Sequence, residues 1–131
     1  MTLMINIDVP DLDTAIRFYT TAFDLKVSRK FDGFVELLGW PAPLYLLTKA
    51  PGTVGAGGDK RRYDRHWTPV HLDVLVENVD DAVARAVSAG AVLERPAESA
   101  PFGRIAGLAD PFGNGLCVLK LSERGYDALL A

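Results

Sequence analysis

The stretch MINIDVPDLDTAIRFYTTA, residues 4–22, decides the fold, because the chain writes it again as HLDVLVENVDDAVARAVSA, residues 71–89. At one fixed offset Val9 falls on Val76, Leu12 on Val79, Asp13 on Asp80, Ala15 on Ala82, Ile16 on Val83 and Ala22 on Ala89. Each copy reads as a short strand, a tight acidic turn and an amphipathic helix. A repeat of this length, present twice, predicts two similar units that close on each other around a cleft.

Within the first copy, Leu3, Ile5, Ile7 and Val9 alternate with Met4, Asn6 and Asp8, the period of two of a half-buried strand. Pro10 ends it. Asp11 or Asp13 is placed to cap the next helix by accepting from free backbone N–H groups. Ala15, Ile16, Tyr19 and Phe23 then fall at helical spacing. Residues 26–30, 34–38 and 44–48 read as strands, with Asp32-Gly33 as a hairpin turn and Gly39-Trp40-Pro41 as a break.

Residues 50–68 show no periodicity and carry the basic cluster Lys60, Arg61, Arg62 and Arg65, so they read as a joining loop whose charges face solvent. The second unit repeats the plan: a strand over 70–76, a helix over 80–89 stopped by Gly90, and strands over 91–95, 104–109 and 116–121. A short terminal helix is expected within 122–131. The fold class that follows is α+β, two βαβββ modules in one domain spanning 1–131. Module one covers about 1–50, the linking loop about 51–68, module two about 69–122 and a C-terminal tail 123–131. If the apolar stripe of each first strand packs on its helix, the opposite stripe is Met4, Asn6 and Asp8 in one unit and His71, Asp73 and Leu75 in the other. Unpartnered polar groups cost roughly 1–3 kcal/mol to bury, so these stripes predict a wet or ligand-filled hollow.

Composition narrows the classes. A net charge of −3 leaves no electrostatic footprint for nucleic acid. No apolar run is long enough for a membrane helix. The single cysteine, Cys117, excludes an internal disulfide. No charged segment followed by an apolar stretch opens the chain, so a cytoplasmic protein is expected. A phosphate-cradling glycine loop, a paired Cys-x-x-Cys and a serine elbow are all missing.

The doubled unit, the turn Val9-Pro10-Asp11-Leu12-Asp13, the segment Arg17-Phe18-Tyr19 and the turn Asp110-Pro111-Phe112-Gly113-Asn114 together resemble the vicinal oxygen chelate superfamily, which includes glyoxalase I, bleomycin-resistance proteins and extradiol dioxygenases. The resemblance covers nearly the whole chain. It implies a U-shaped curled sheet with helices on its outer face, and a homodimer. It also implies where a divalent metal would be held: at Met4, at His71, near Tyr45 or Leu47, and at Cys117. Of these four places only His71 carries the usual ligand, and a lone imidazole does not hold such an ion. Asp73 adds little on this reading, because it lies two residues along the same strand, and His66 sits in an unanchored loop.

The expectation is therefore a glyoxalase/bleomycin-resistance-like protein with no metal and no cofactor, binding a small apolar or aromatic molecule in the cleft. His71, Asp73 and Asn6 would orient the ligand. Tyr45, with aromatics such as Phe34 and Phe102 drawn from a set that includes Trp40 and Trp67, would supply apolar contact, and Cys117 would line the site. Each aromatic could equally serve packing, and Cys117 could be a small buried hydrophobe. The alternative is a metal-dependent lyase, isomerase or dioxygenase using His71 with unconventional ligands.

Overall fold

The computed structural model describes residues 1–131, which divide into two compact units, Met1–Asp64 and Arg65–Ala131. In the first unit β1 (Ile5–Val9) leads into α1 (Leu12–Phe23), followed by β2 (Lys26–Phe31), β3 (Phe34–Leu38) and β4 (Leu44–Thr48). In the second, β5 (Leu72–Leu75) leads into α2 (Val79–Ala89), then β6 (Val92–Ala100), β7 (Gly103–Ala109) and β8 (Gly115–Leu121). The sheet orders are β1-β4-β3-β2 and β5-β8-β7-β6. The first strand of each sheet pairs parallel with the last, as a crossover through a helix requires, and the other pairs are antiparallel. Both units are thus βαβββ modules of an α+β fold. No helix is long and apolar enough to cross a membrane.

The helices form where the caps put them. Asp11 accepts from the Thr14 amide at 3.1 Å and Asn78 from the Asp81 amide at 3.0 Å. Helix α1 turns Ala15, Phe18, Tyr19 and Ala22 inward, at i, i+3, i+4 and i+7. They pack with Val35 and Leu37 of β3 and Leu44 and Leu46 of β4, all buried. By strand alternation Glu36 and Tyr45 must then occupy the other face. The same logic in the second unit buries Ala106, Leu108 and Val118 and turns Gly107 and Cys117 the other way.

Two local departures from the sequence reading have physical causes. The strand expected over 91–95 continues to Ala100 through Pro96. It is the sheet's edge strand, where a residue without an N–H is tolerated. The stretch expected as a loop folds back on the first unit up to Asp64. Gly52 and Arg61 bond to each other's stretch of backbone, Arg61 reaches Asp8 at 2.8 Å, and the Tyr63 hydroxyl donates to the Lys49 carbonyl at 2.7 Å. The short terminal helix forms as expected, as a 3₁₀ segment over Gly125–Leu129. Gly103 allows the β6–β7 turn: at φ +150° a Cβ there would stand 2.1 Å from the Lys120 carbonyl oxygen.

Candidate functional site

On the face away from its helix, each sheet carries a row of four residues in register. In the first unit Asn6 pairs with Tyr45, Tyr45 with Glu36, and Glu36 with Arg29. In the second Asp73 pairs with Cys117, Cys117 with Gly107, and Gly107 with Arg95. Both edge strands shift register just before the arginine, between Val27 and Arg29 and between Leu93 and Arg95. The extra residue of such a bulge re-aims the side chain that follows.

The first row is closed on itself. Arg29 grips Glu36 with two bonds, 3.0 and 2.8 Å, and reaches the Tyr45 oxygen at 3.3 Å. The Tyr45 hydroxyl donates to Glu36. The paired Arg29 bonds, then the Tyr45 hydroxyl, hold the buried Glu36 carboxyl down at about 2, and the same carboxylate pushes the Tyr45 phenol up. Phe34 stacks on Phe31 at 4.3 Å across the Asp32-Gly33 hairpin turn and tilts against Tyr45 at 6.4 Å. Asn6 is exposed on β1. Asp8 is committed to Arg61.

The second unit holds a cavity of about 300 Å³, in the range of small-ligand sites. Its lining includes Trp67, His71, Cys117, Gly107 and Arg95. Trp67 is 81% exposed, so its indole is open to a guest. Arg65, also in the lining, grips both oxygens of Glu94 at 2.6 and 2.8 Å and donates to the Gly113 carbonyl at 3.2 Å. That ties the wall to the turn Asp110-Pro111-Phe112-Gly113-Asn114. There the buried Asp110 carboxylate accepts from the Phe112 and Asn114 amides at 2.8 and 2.9 Å and from the Asn114 side chain at 3.0 Å.

His71, Asp73 and Cys117 come together beside this cavity. The His71 Nε2 lies 3.1 Å from Asp73, and one donor atom from each of the three residues lies within 4.8 Å of the others. Residues two apart on a strand share a face, which is why Asp73 contributes after all. Nitrogen, oxygen and sulfur donors in that number suit a borderline ion such as zinc and do not suit a hard, oxygen-seeking one. Burial first, and then the Asp73 charge, pushes the Cys117 thiol up, away from the thiolate that a metal takes. In the first unit, Glu36 is already saturated by Arg29 and Tyr45.

A family model described as a glyoxalase-like domain matches residues 4–119. The chain belongs to that family. Among solved structures, this glyoxalase-like chain is similar to the fosfomycin resistance protein FosX from Listeria monocytogenes, with a TM-score of 0.72 and 14% identity over 95% of each chain. TioX from Micromonospora sp. ML1 gives 0.72 and 17%, over 93% of this chain and 99% of that one. A glyoxalase/bleomycin resistance protein/dioxygenase family enzyme from Burkholderia phytofirmans PsJN gives 0.71 and 17%, over 91% and 97%. Likeness at these identities establishes the fold. No curated protein matches the sequence.

Of the residues chosen from sequence, His71, Asp73 and Cys117 stand together in the second unit, and Asn6, Tyr45 and Phe34 belong to the sheet of the first. Phe102 packs on Tyr126 at 5.6 Å, outside the cavity lining. Of the two tryptophans, Trp40 packs on Phe23 at 5.5 Å and Trp67 lines the cavity. Sequence reasoning missed Arg95, Gly107, Arg29 and Glu36. No sequence signal marked them: at the repeat's fixed offset Arg29 falls on Pro96, and only strand pairing puts Arg29 and Arg95 at matching places, one residue past a bulge.

Proposed function

We propose that this glyoxalase-like chain binds a small molecule with an apolar or aromatic part in the cavity of its second unit, without a resident metal. The observation that carries the reading is the cavity itself, walled by an exposed indole and polar groups that include His71. A flat ligand would lie against Trp67, with the His71–Asp73 pair fixing one polar group and Cys117 and Leu116 filling the floor. The neighbours' names, a fosfomycin resistance protein among them, agree with a role in taking up a toxic small molecule. Asn6, Tyr45 and Phe34 belong to the other unit and take no part in this cavity's lining, and a homodimer is the working form the proposal assumes.

Native mass spectrometry before and after chelation tests the reading. The expected result is a retained organic molecule that survives chelation and is lost in His71→Ala. A protein that binds no small molecule, whether isolated or offered a panel of aromatic compounds, overturns it.

A second reading rests on the three clustered donors. His71, Asp73 and Cys117 would hold a zinc ion, which supplies Lewis acidity when bound. One zinc per chain, lost in His71→Ala, would favour it.

A further inference from the structure

The geometry points to a carboxylate on the ligand, received by the guanidinium of Arg95; this deepens the binding reading above and rests on it. The two units place an arginine at the same point, one residue past a bulge in the edge strand. What stands opposite differs. Arg29 faces Glu36, which occupies it with two hydrogen bonds. Arg95 faces Gly107, which has no side chain to offer. A Cβ at position 107 would meet the Arg95 Cβ at 3.2 Å and its Nε at 3.9 Å, so the arginine lies across the glycine.

The nearby acids are already engaged. Glu94 is held at both oxygens by Arg65, and Asp73 is with His71. No ion pair or side-chain hydrogen bond holds Arg95, although it lines the cavity. A guanidinium presents a rigid planar fork that matches a carboxylate with two parallel bonds. With Trp67 also in the cavity lining, the class of ligand is a small aromatic carboxylate.

The test compares 2-naphthoate with 2-naphthamide, neutral and nearly the same shape, by calorimetry at low salt on chelator-treated protein. The expected result is that the acid binds at least about tenfold tighter than the amide, the scale of a charge-assisted pair. Arg95→Gln should erase the preference and Arg95→Lys should keep part of it, with circular dichroism unchanged. Equal binding of acid and amide, or a preference that survives Arg95→Gln, overturns the carboxylate assignment and leaves the binding reading standing. Binding of neither probe overturns the carboxylate assignment, and the binding reading falls with it only if the panel of aromatic compounds also fails to bind.

Discussion

The two units share a scaffold and an arginine, and differ in what each gives that arginine to hold. In the first, the row Asn6–Tyr45–Glu36–Arg29 is closed by a carboxylate supplied from the sheet itself. In the second, the row Asp73–Cys117–Gly107–Arg95 stops at a glycine, and a cavity lies beside it. One copy spends its guanidinium on its own structure, and the other leaves it for a guest. The turns before the last strands diverge as well. Buried Asp110 wires the second, while the first relies on Trp40 packed against Phe23.

The turns offer the largest effect. Asp110→Ala leaves two backbone amides and the Asn114 side chain without their acceptor. Hydrogen bonds to a charged group are worth about 1.5–3 kcal/mol, so urea unfolding should show a loss of about 3 kcal/mol. Trp40→Ala, truncating a half-buried ring, should cost less, about 2 kcal/mol. The reverse order would mean that the packed turn, not the wired one, is the stronger device.

The next step exchanges the partners of the arginines. Gly107→Glu gives Arg95 the carboxylate that Arg29 already has, and its Cβ also crowds the arginine stem. Binding of 2-naphthoate should fall at least about tenfold, while the thermal midpoint moves far less than in Asp110→Ala. If affinity is unchanged, the glycine is not what keeps Arg95 open.

Acid titration sharpens the same contrast. The Glu36 carboxyl sits at about 2 in the folded chain against an ordinary 4.5. A lowered folded value means its contribution is whole above about 4.5 and is lost as pH falls through about 2. In Arg29→Gln the first cause of that lowering is gone, so the decline in urea midpoint between pH 4.5 and 2 should be shallower than in the parent. The effect is modest because Arg29 is largely solvent-exposed. Parallel declines would show that the ion pair does not hold Glu36 down. Arg95→Gln should leave the profile unaltered, having no carboxylate to release.

Legibility followed the range of each interaction. The repeat, the Asp11 cap and the polar stripe holding Asn6 and Asp73 are local patterns, readable from periods of 3.6 and 2. The arginine rows are not local. The residue facing Arg29 lies across a short hairpin and the one facing Arg95 across a longer one, so Glu36 and Gly107 fall at different offsets in the two copies. A bulge adds one residue without a sequence mark, and only pairing shows which side chain it re-aims. Trp67 was among the aromatics the sequence offered, but it could not be placed, for a related reason. It stands in a stretch with no periodicity, anchored through Arg65 to Gly113 and Glu94 rather than by its own pattern. Asp73 was expected on one stripe with His71 and the two do meet, at 3.1 Å; what the sequence did not show is that Cys117 stands close enough to join them.

The smallest effect lies at Asp24, one of the two helix ends at which the copies again choose differently. Helix α1 stops at Asp24 with φ 55° and ψ 31°, and α2 stops at Gly90 with φ 124° and ψ 1°. Aspartate tolerates the left-handed region because its short polar side chain bonds locally. Glycine there would relieve a little strain but would free more of the unfolded chain, and it would remove the exposed contact with Lys26 at 3.1 Å. These terms oppose, so Asp24→Gly should change stability by no more than about 0.5 kcal/mol. The Gly90 conformation lies outside the region that side chains accept, so Gly90→Asp should cost about 1–2 kcal/mol. Equal effects from the two substitutions would show that the helix ends are interchangeable and that only the arginine rows set the copies apart.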